Sequence, residues 1–232
     1  MSAFKTLGQV FTEPSKAFEA VQERSMVALP LLLTIFGTLA LWIWYYQVVD
    51  IAWLIDHMMA AQPDMDPAQA EASRQFMTPM SMTIFTVIGV VVVMPLVLLL
   101  SAVYYTLAAK VIGSEIGFGK WFAFSTWCMV PSLLLIPAGA AKLLMASNGQ
   151  ITQEQLNPLS LNELFFHLPS SDAWAGLLNA IHLPFFWGVF VSFVGYQVWT
   201  KKSSATSSVV VLLPWVLIYG IWALVAMFKG GA

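Results

Sequence analysis

Few residues in this chain could do chemistry. His57, His167 and His182 stand with Asp56, Glu163 and Asp172 in or beside segments expected on one side of a membrane, a set whose types would suit zinc. Zinc needs three or four positioned ligands, and neither an H-x-x-x-H nor an H-E-x-x-H spacing occurs. The stretch Gly113-Ser114-Glu115-Ile116-Gly117-Phe118-Gly119-Lys120-Trp121 has the glycines and lysine of a phosphate-binding loop. A loop ending in Gly119-Lys120 would need glycine where Ser114 stands and Ser or Thr where Trp121 stands. These glycines read instead as a tight turn. No G-x-S-x-G frame marks a serine nucleophile. The one cysteine, Cys128, lies in an apolar run, where a reactive thiolate is disfavoured and packing is the expected role. A single cysteine also excludes an intrachain disulfide. The expectation is no catalytic site, no metal site and no cofactor.

The elements that would position such groups follow from composition. Of 232 residues, 59% are hydrophobic and 9% charged, against roughly 25% charged in soluble domains. A net charge of −2 and no basic cluster beyond Lys201-Lys202 exclude nucleic acid as a partner. The longest runs without Asp, Glu, Lys or Arg are 25–49, 75–109, 121–141, 173–200 and 203–228. About 20 helical residues cover the roughly 30 Å hydrocarbon core. The runs are continuously apolar, not alternating, which excludes a β-barrel. The expected fold is an all-α integral membrane protein, a bundle of five transmembrane helices with short amphipathic interfacial helices. The spans are expected at about 27–49, 81–109, 121–146, 175–199 and 207–228, forming one domain over 25–232. Pro95, Pro131, Pro137, Pro184 and Pro214 fall within them and predict kinks. Residues 1–24 mix acidic and basic groups and lead into a run longer than a signal-peptide core, so the first span is expected to be retained. Seven of the ten Lys and Arg side chains fall in segments on the N-terminal side of the bundle. The positive-inside rule then places the N-terminus in the cytoplasm and the C-terminus outside.

The segments around the spans carry their own signals. Phe4, Leu7, Val10 and Phe11, then Phe18 and Val21, recur at helical spacing with charges between them. This predicts an amphipathic lead over 1–24 on the cytoplasmic interface, divided by Pro14 into two short helices. Asp66-Pro67-Ala68-Gln69 is a helix start, predicting a helix over about 67–77 in the first external loop. Leu159–Leu168 in the second external loop is expected to be a surface-lying helix. Gly188, Ser192 and Gly195 share one face of the fourth span, and Gly220, Ala223 and Ala226 one face of the fifth, as close helix packing requires. His182 is the one imidazole expected well inside a span, and is read as a hydrogen-bonded interior histidine. A passage lined with polar groups would have Ser101, Tyr104, Ser125, Thr126, Ser132, Ser192 and Gln197 to draw on.

These features resemble the Yip family of membrane proteins, the Ypt/Rab-interacting proteins. Phe11-Thr12-Glu13-Pro14 followed by Phe18-Glu19 is similar to the family's F-x-x-P-x-x-x-F lead. Phe118-Gly119-Lys120-Trp121-Phe122, followed by Pro131 in the third span, is similar to its G-x-x-x-F turn. The resemblance runs over nearly the whole chain and is stronger to the bacterial branch, because the lead is shorter than the cytoplasmic region of the GTPase-binding eukaryotic members. It implies a non-catalytic protein of the bacterial inner membrane. Such a protein would bind other integral membrane proteins, among them ABC transporter subunits of an export system, or form a homo-oligomer within the lipid bilayer. Contacts are then expected at Phe11, Pro14 and Phe18, at Gly113, Phe118, Gly119 and Lys120, and at Gly188 and Ser192. Lipid or small-molecule passage and membrane shaping are the alternative functions.

Overall fold

The computed structural model describes residues 2–61, 66–146 and 148–230. In lipid every backbone N–H and C=O must be satisfied within the chain, and a helix does so locally. The described residues form helices and turns, with one isolated antiparallel bridge between Ser160 and His182. In chain order the α-helices are α1 (Ala3–Thr12), α2 (Pro14–Glu23), α3 (Ala28–Val48), α4 (Ile51–Ala60), α5 (Pro67–Phe76), α6 (Pro79–Ile88), α7 (Met94–Val111), α8 (Phe118–Cys128), α9 (Leu135–Met145), α10 (Ala175–Ala180), α11 (Leu183–Thr200) and α12 (Ser204–Gly230). A π turn over Gly89–Val93 links α6 to α7, and a 3-10 segment over Val130–Leu134 links α8 to α9.

Among the described residues, four helical runs are long and apolar enough to cross a membrane: Ala28–Val48, Pro79–Val111, Phe118–Met145 and Ser204–Gly230. They correspond to the first, second, third and fifth expected spans. The expected fourth span is shorter than 175–199. The helix breaks at Ile181 and His182, so α10 ends at Ala180 and α11 begins at Leu183. Two physical causes coincide. Pro184 has no N–H and fits the first turn of a helix better than its interior, and Ile181–Leu183 is drawn into extended pairing with the preceding loop. The Leu161 N–H donates to Ile181 O at 2.8 Å, and the Leu183 N–H to Leu159 O at 2.9 Å. His182 therefore precedes α11 instead of lying within a span, and burial lowers its pKa. The 18 residues of α11 carry no charge, but Trp, Tyr, Gln, Ser and Gly dilute its apolar content.

The prolines act locally. Pro131 sits in the 3-10 segment, Pro95 in the first turn of α7 and Pro137 in the first turn of α9, while Pro214 lies inside a regular helix. The expected helix over Leu159–Leu168 reduces to a π turn at Asn162–Phe166, because the backbone on either side is committed to other bonds. The first loop holds the expected helix α5, whose Asp66 carboxylate accepts from the Ala68 N–H at 2.8 Å. It also holds α4, which the charge spacing did not reveal.

The chain forms two compact units. One comprises Met1–Phe36, Val93–Leu133 and Pro184–Ile221. Its core is largely aromatic, with Phe18, Tyr105, Trp121, Phe124, Trp127, Tyr196 and Trp199 buried together. Trp121 stacks on Tyr105 and on Tyr196 with centroids 5.5 Å apart in both pairs, a favoured spacing for aromatic rings. Lys201, in the left-handed region at φ 55°, ends α11, and α12 starts at Ser204. The other unit comprises Gly37–Val92, Leu134–Leu183 and Trp222–Ala232. Tyr45, Tyr46, Val49, Leu54, Leu143, Ile151 and Leu156 form its core. The buried Tyr45 hydroxyl donates to Ile151 O at 2.9 Å, and Arg74 pairs with Asp56 between α5 and α4.

Gly149 is a tight point of this second unit. Its φ is +69°, and a Cβ there would lie 2.6 Å from Val48 O. Gly149→Ala combines left-handed strain with a backbone clash, so a loss of about 1–3 kcal/mol is expected, read as a lower unfolding midpoint in detergent. Gly8→Ala, where a Cβ meets nothing within 4 Å, should hold or raise the midpoint.

Candidate functional site

The candidate residues all fall in the first unit, and they are built from the N-terminus inward. Ser2 caps α1, its hydroxyl accepting from the Lys5 N–H at 3.4 Å. Pro14 stops α1, since the residue before proline avoids helical geometry; Glu13 leaves the helical region at φ −142° and ψ 64°. Pro14 then opens α2, so the proline divides the lead into two helices as its spacing predicts. The apolar face of α2 is buried through Ala17, Phe18, Ala20 and Val21, while on α1 Val10 is buried, Leu7 and Phe11 are half-buried and Phe4 is exposed. The opposite face is charged, with Lys16 and Glu13 paired at 2.6 Å in the open. The hydrogen bond and charge of Glu13 raise the Lys16 pKa. Such an exposed pair adds little to stability.

The lead does more than rest on a surface. Phe18 is fully buried, its ring 5.2 Å from that of Phe124 on α8. On its α11 side the space exists because residue 195 is glycine: a Cβ there would lie 2.5 Å from Phe18 Cδ1. Three indole N–H groups bind lead and linker carbonyls. Trp199 donates to Phe18 O at 2.7 Å, Trp187 donates to Val10 O at 3.3 Å, and Trp127 donates to Met26 O. Tryptophan suits this task because it couples a large apolar body to one donor that needs an acceptor when buried.

Phe18 is thus an internal contact, while Phe11 and Pro14 are half-buried beside it. Gly188 and Ser192 also face inward. A Cβ on Gly188 would lie 3.2 Å from Cys128 O, and buried Ser192 donates to Gly188 O at 2.7 Å. The small-residue face of α11 therefore packs within this chain. Gly113, Phe118, Gly119 and Lys120 are exposed. Gly113, at φ +75°, closes α7: its N–H reaches Lys110 O at 3.0 Å and the Ser114 N–H reaches Ala109 O at 2.8 Å. This is the paired-bond helix ending that favours glycine. Gly119 lies inside α8, whose cap is Gly117, so only Gly113 supplies the expected glycine turn. The turn borders an open depression lined by Thr106, Lys110, Ser114, Glu115, Ile116 and Phe118.

The sequence reading missed the part played by Gly195 and the three indoles. The signal available was that Trp187 and Trp199 interrupt an otherwise apolar helix at polar-capable positions. Among the described residues, no three His, Cys, Asp or Glu side chains come together as a metal site would require. Most hydroxyls in the spans bond backward to their own helix: Ser101 to Val97 O at 2.9 Å and Thr126 to Phe122 O at 2.8 Å. Tyr104 reaches across to Val210 O at 2.6 Å.

A family model described as the Yip1 domain matches residues 8–225. No curated protein and no solved structure matches the chain.

Phe18→Ala removes a fully buried ring from a site framed by Phe124 and Gly195. A loss of about 3–5 kcal/mol is expected, with the lead released. Limited trypsin digestion of the protein in detergent should then cut at Lys16 and Arg24 while the spans stay intact. Unchanged resistance at those sites would contradict the docking described.

Proposed function

Because this chain belongs to the Yip1 domain family, we propose that it is a non-catalytic, multi-pass protein of a bacterial inner membrane that works by binding other integral membrane proteins. The specific reading is an accessory or assembly subunit of an ABC-type exporter. In this reading α11 is the fourth of five spans, the N-terminus is cytoplasmic and the C-terminus lies outside. The observation that carries it is the exposure of the second span. Ile84, Phe85, Ile88, Val91, Val92, Leu96, Val97, Leu100, Val103 and Leu107 are all exposed. Such a helix is free to meet lipid and a partner helix, whereas the α11 small-residue face is already spent inside the chain. The surface available to a partner then includes the exposed turn at Gly113, Phe118, Gly119 and Lys120, with Phe11 and Pro14 at the edge of the docked lead.

Unaided passage receives less support. Ser101, Thr126 and Ser192 direct their hydroxyls at their own helices, although Ser125 and Tyr196 keep buried hydroxyls without a protein partner.

Topology and partner are tested separately. Single cysteines replacing Lys202 and Ser171 should be labelled from opposite faces of intact membrane vesicles; labelling from the same face would remove α11 as a span. Crosslinking in native membranes, mild-detergent purification and mass spectrometry should recover a stoichiometric membrane partner. Recovery of this chain alone, together with flux through proteoliposomes of the pure protein, would replace the binding role with passage.

A further inference from the structure

The loop after Asn157 contains a small, tightly held feature that the proposed function does not use. Asn162 is 3% exposed and makes three bonds that close residues 162–168 into a ring. Its side-chain N–H donates to Leu168 O at 3.0 Å, its side-chain oxygen accepts from the Leu168 N–H at 2.9 Å, and its backbone carbonyl accepts from the His167 N–H at 2.8 Å. His167 is held in the left-handed region at φ 53°, a conformation that a non-glycine residue keeps only where its surroundings enforce it. Buried Ser160 secures the near end by accepting from the Glu163 N–H at 3.1 Å. Held in this way, Phe165 is 66% exposed and Phe166 54% exposed. Fixing two adjacent phenylalanines in the open is costly in water, and a loop selected only to connect helices would not need it.

Position and charge identify the occupant. Leu161 and Leu159, in the stretch leading into the ring, are bonded to Ile181 and Leu183, the latter being the first residue of apolar α11. Over 157–174 the charged residues are Glu163 and Asp172, with no Lys or Arg, so attraction to anionic headgroups cannot drive contact. Trp174, of a residue type enriched at membrane interfaces, is also partly exposed in this stretch. We propose that the Asn162-closed ring is a preformed apolar tip, and that Phe165 and Phe166 seat in the headgroup–acyl boundary of the bilayer at the start of α11. The ring fixes the depth of that helix end as an interfacial anchor does, through apolar insertion. The inference rests on α11 being a span.

The test uses the full chain with Cys128→Ala and one added cysteine, Phe165→Cys or Phe166→Cys, each carrying an environment-sensitive fluorophore. A third labelled variant, Phe190→Cys in the middle of α11, reports on the span. In proteoliposomes, tip labels should be quenched severalfold more by lipids with shallow nitroxides than by aqueous iodide. Adding phosphatidylglycerol to phosphatidylcholine vesicles should leave that ratio unchanged. Phe190→Cys should respond to deep nitroxides. Tip labels quenched by iodide overturn the proposal, and tip labels shielded from both quenchers overturn it in favour of a protein contact. Loss of deep quenching at position 190 alone removes the span reading and is distinguishable from either. The unaltered protein gives an independent measurement: photolysis of a lipid with a shallow diazirine should label peptides containing residues 163–168, and absence of label there while span peptides react overturns the proposal.

Discussion

A polar group inside a membrane protein has no water to fall back on, and the structure depends on how this chain answers that constraint. Hydroxyls within the apolar helices turn back one turn: Thr34 to Pro30 O, Thr106 to Ala102 O, Ser192 to Gly188 O and Thr200 to Tyr196 O. The indoles do the opposite. Trp127, Trp187 and Trp199 send their donors to carbonyls of the lead and its linker, far away in the chain. The first kind of bond silences a polar group locally. The second fastens one element to another, and the unit built on α2, α8 and α11 is organised by it.

Those fastenings define what the N-terminal helices are. An amphipathic segment with charges on one face would serve equally as a membrane-surface anchor or as a packed element, since both need the same periodicity. What separates them is whether a matching cavity exists elsewhere in the chain. Here Gly195 supplies it, and the cavity is shaped to a phenyl ring. The second span is instead exposed along much of its length, whereas the α11 small-residue face packs within the chain.

Much of the fold was legible because lipid imposes a simple grammar. Uncharged runs located four long apolar helices within a few residues, and Pro14 and Asp66 marked helix starts correctly because each acts through its own backbone. What the sequence concealed were the places where distant segments decide. Ile181–Leu183 reads as helix until its pairing with Leu159 and Leu161 is known. Leu159–Leu168 reads as a surface helix until Asn162 is seen to close a ring. At the candidate site, the residue types around Phe18 and Gly188 were conspicuous, yet whether they face a partner or the chain's own interior is a question of packing. Glycine faces announce close approach without naming what approaches.

The bonds that hold the lead also set an order of events during biogenesis. Val10 and Phe18 lie 177 and 181 positions before the tryptophans that bind them. With synthesis at roughly 5–20 residues per second, the acceptors emerge on the order of ten to forty seconds before their donors exist. These two helices are therefore made well before the bonds that secure them can form. Through that interval their apolar faces need temporary shelter, and the amphipathic pattern that later fits the core is equally suited to waiting on the membrane surface.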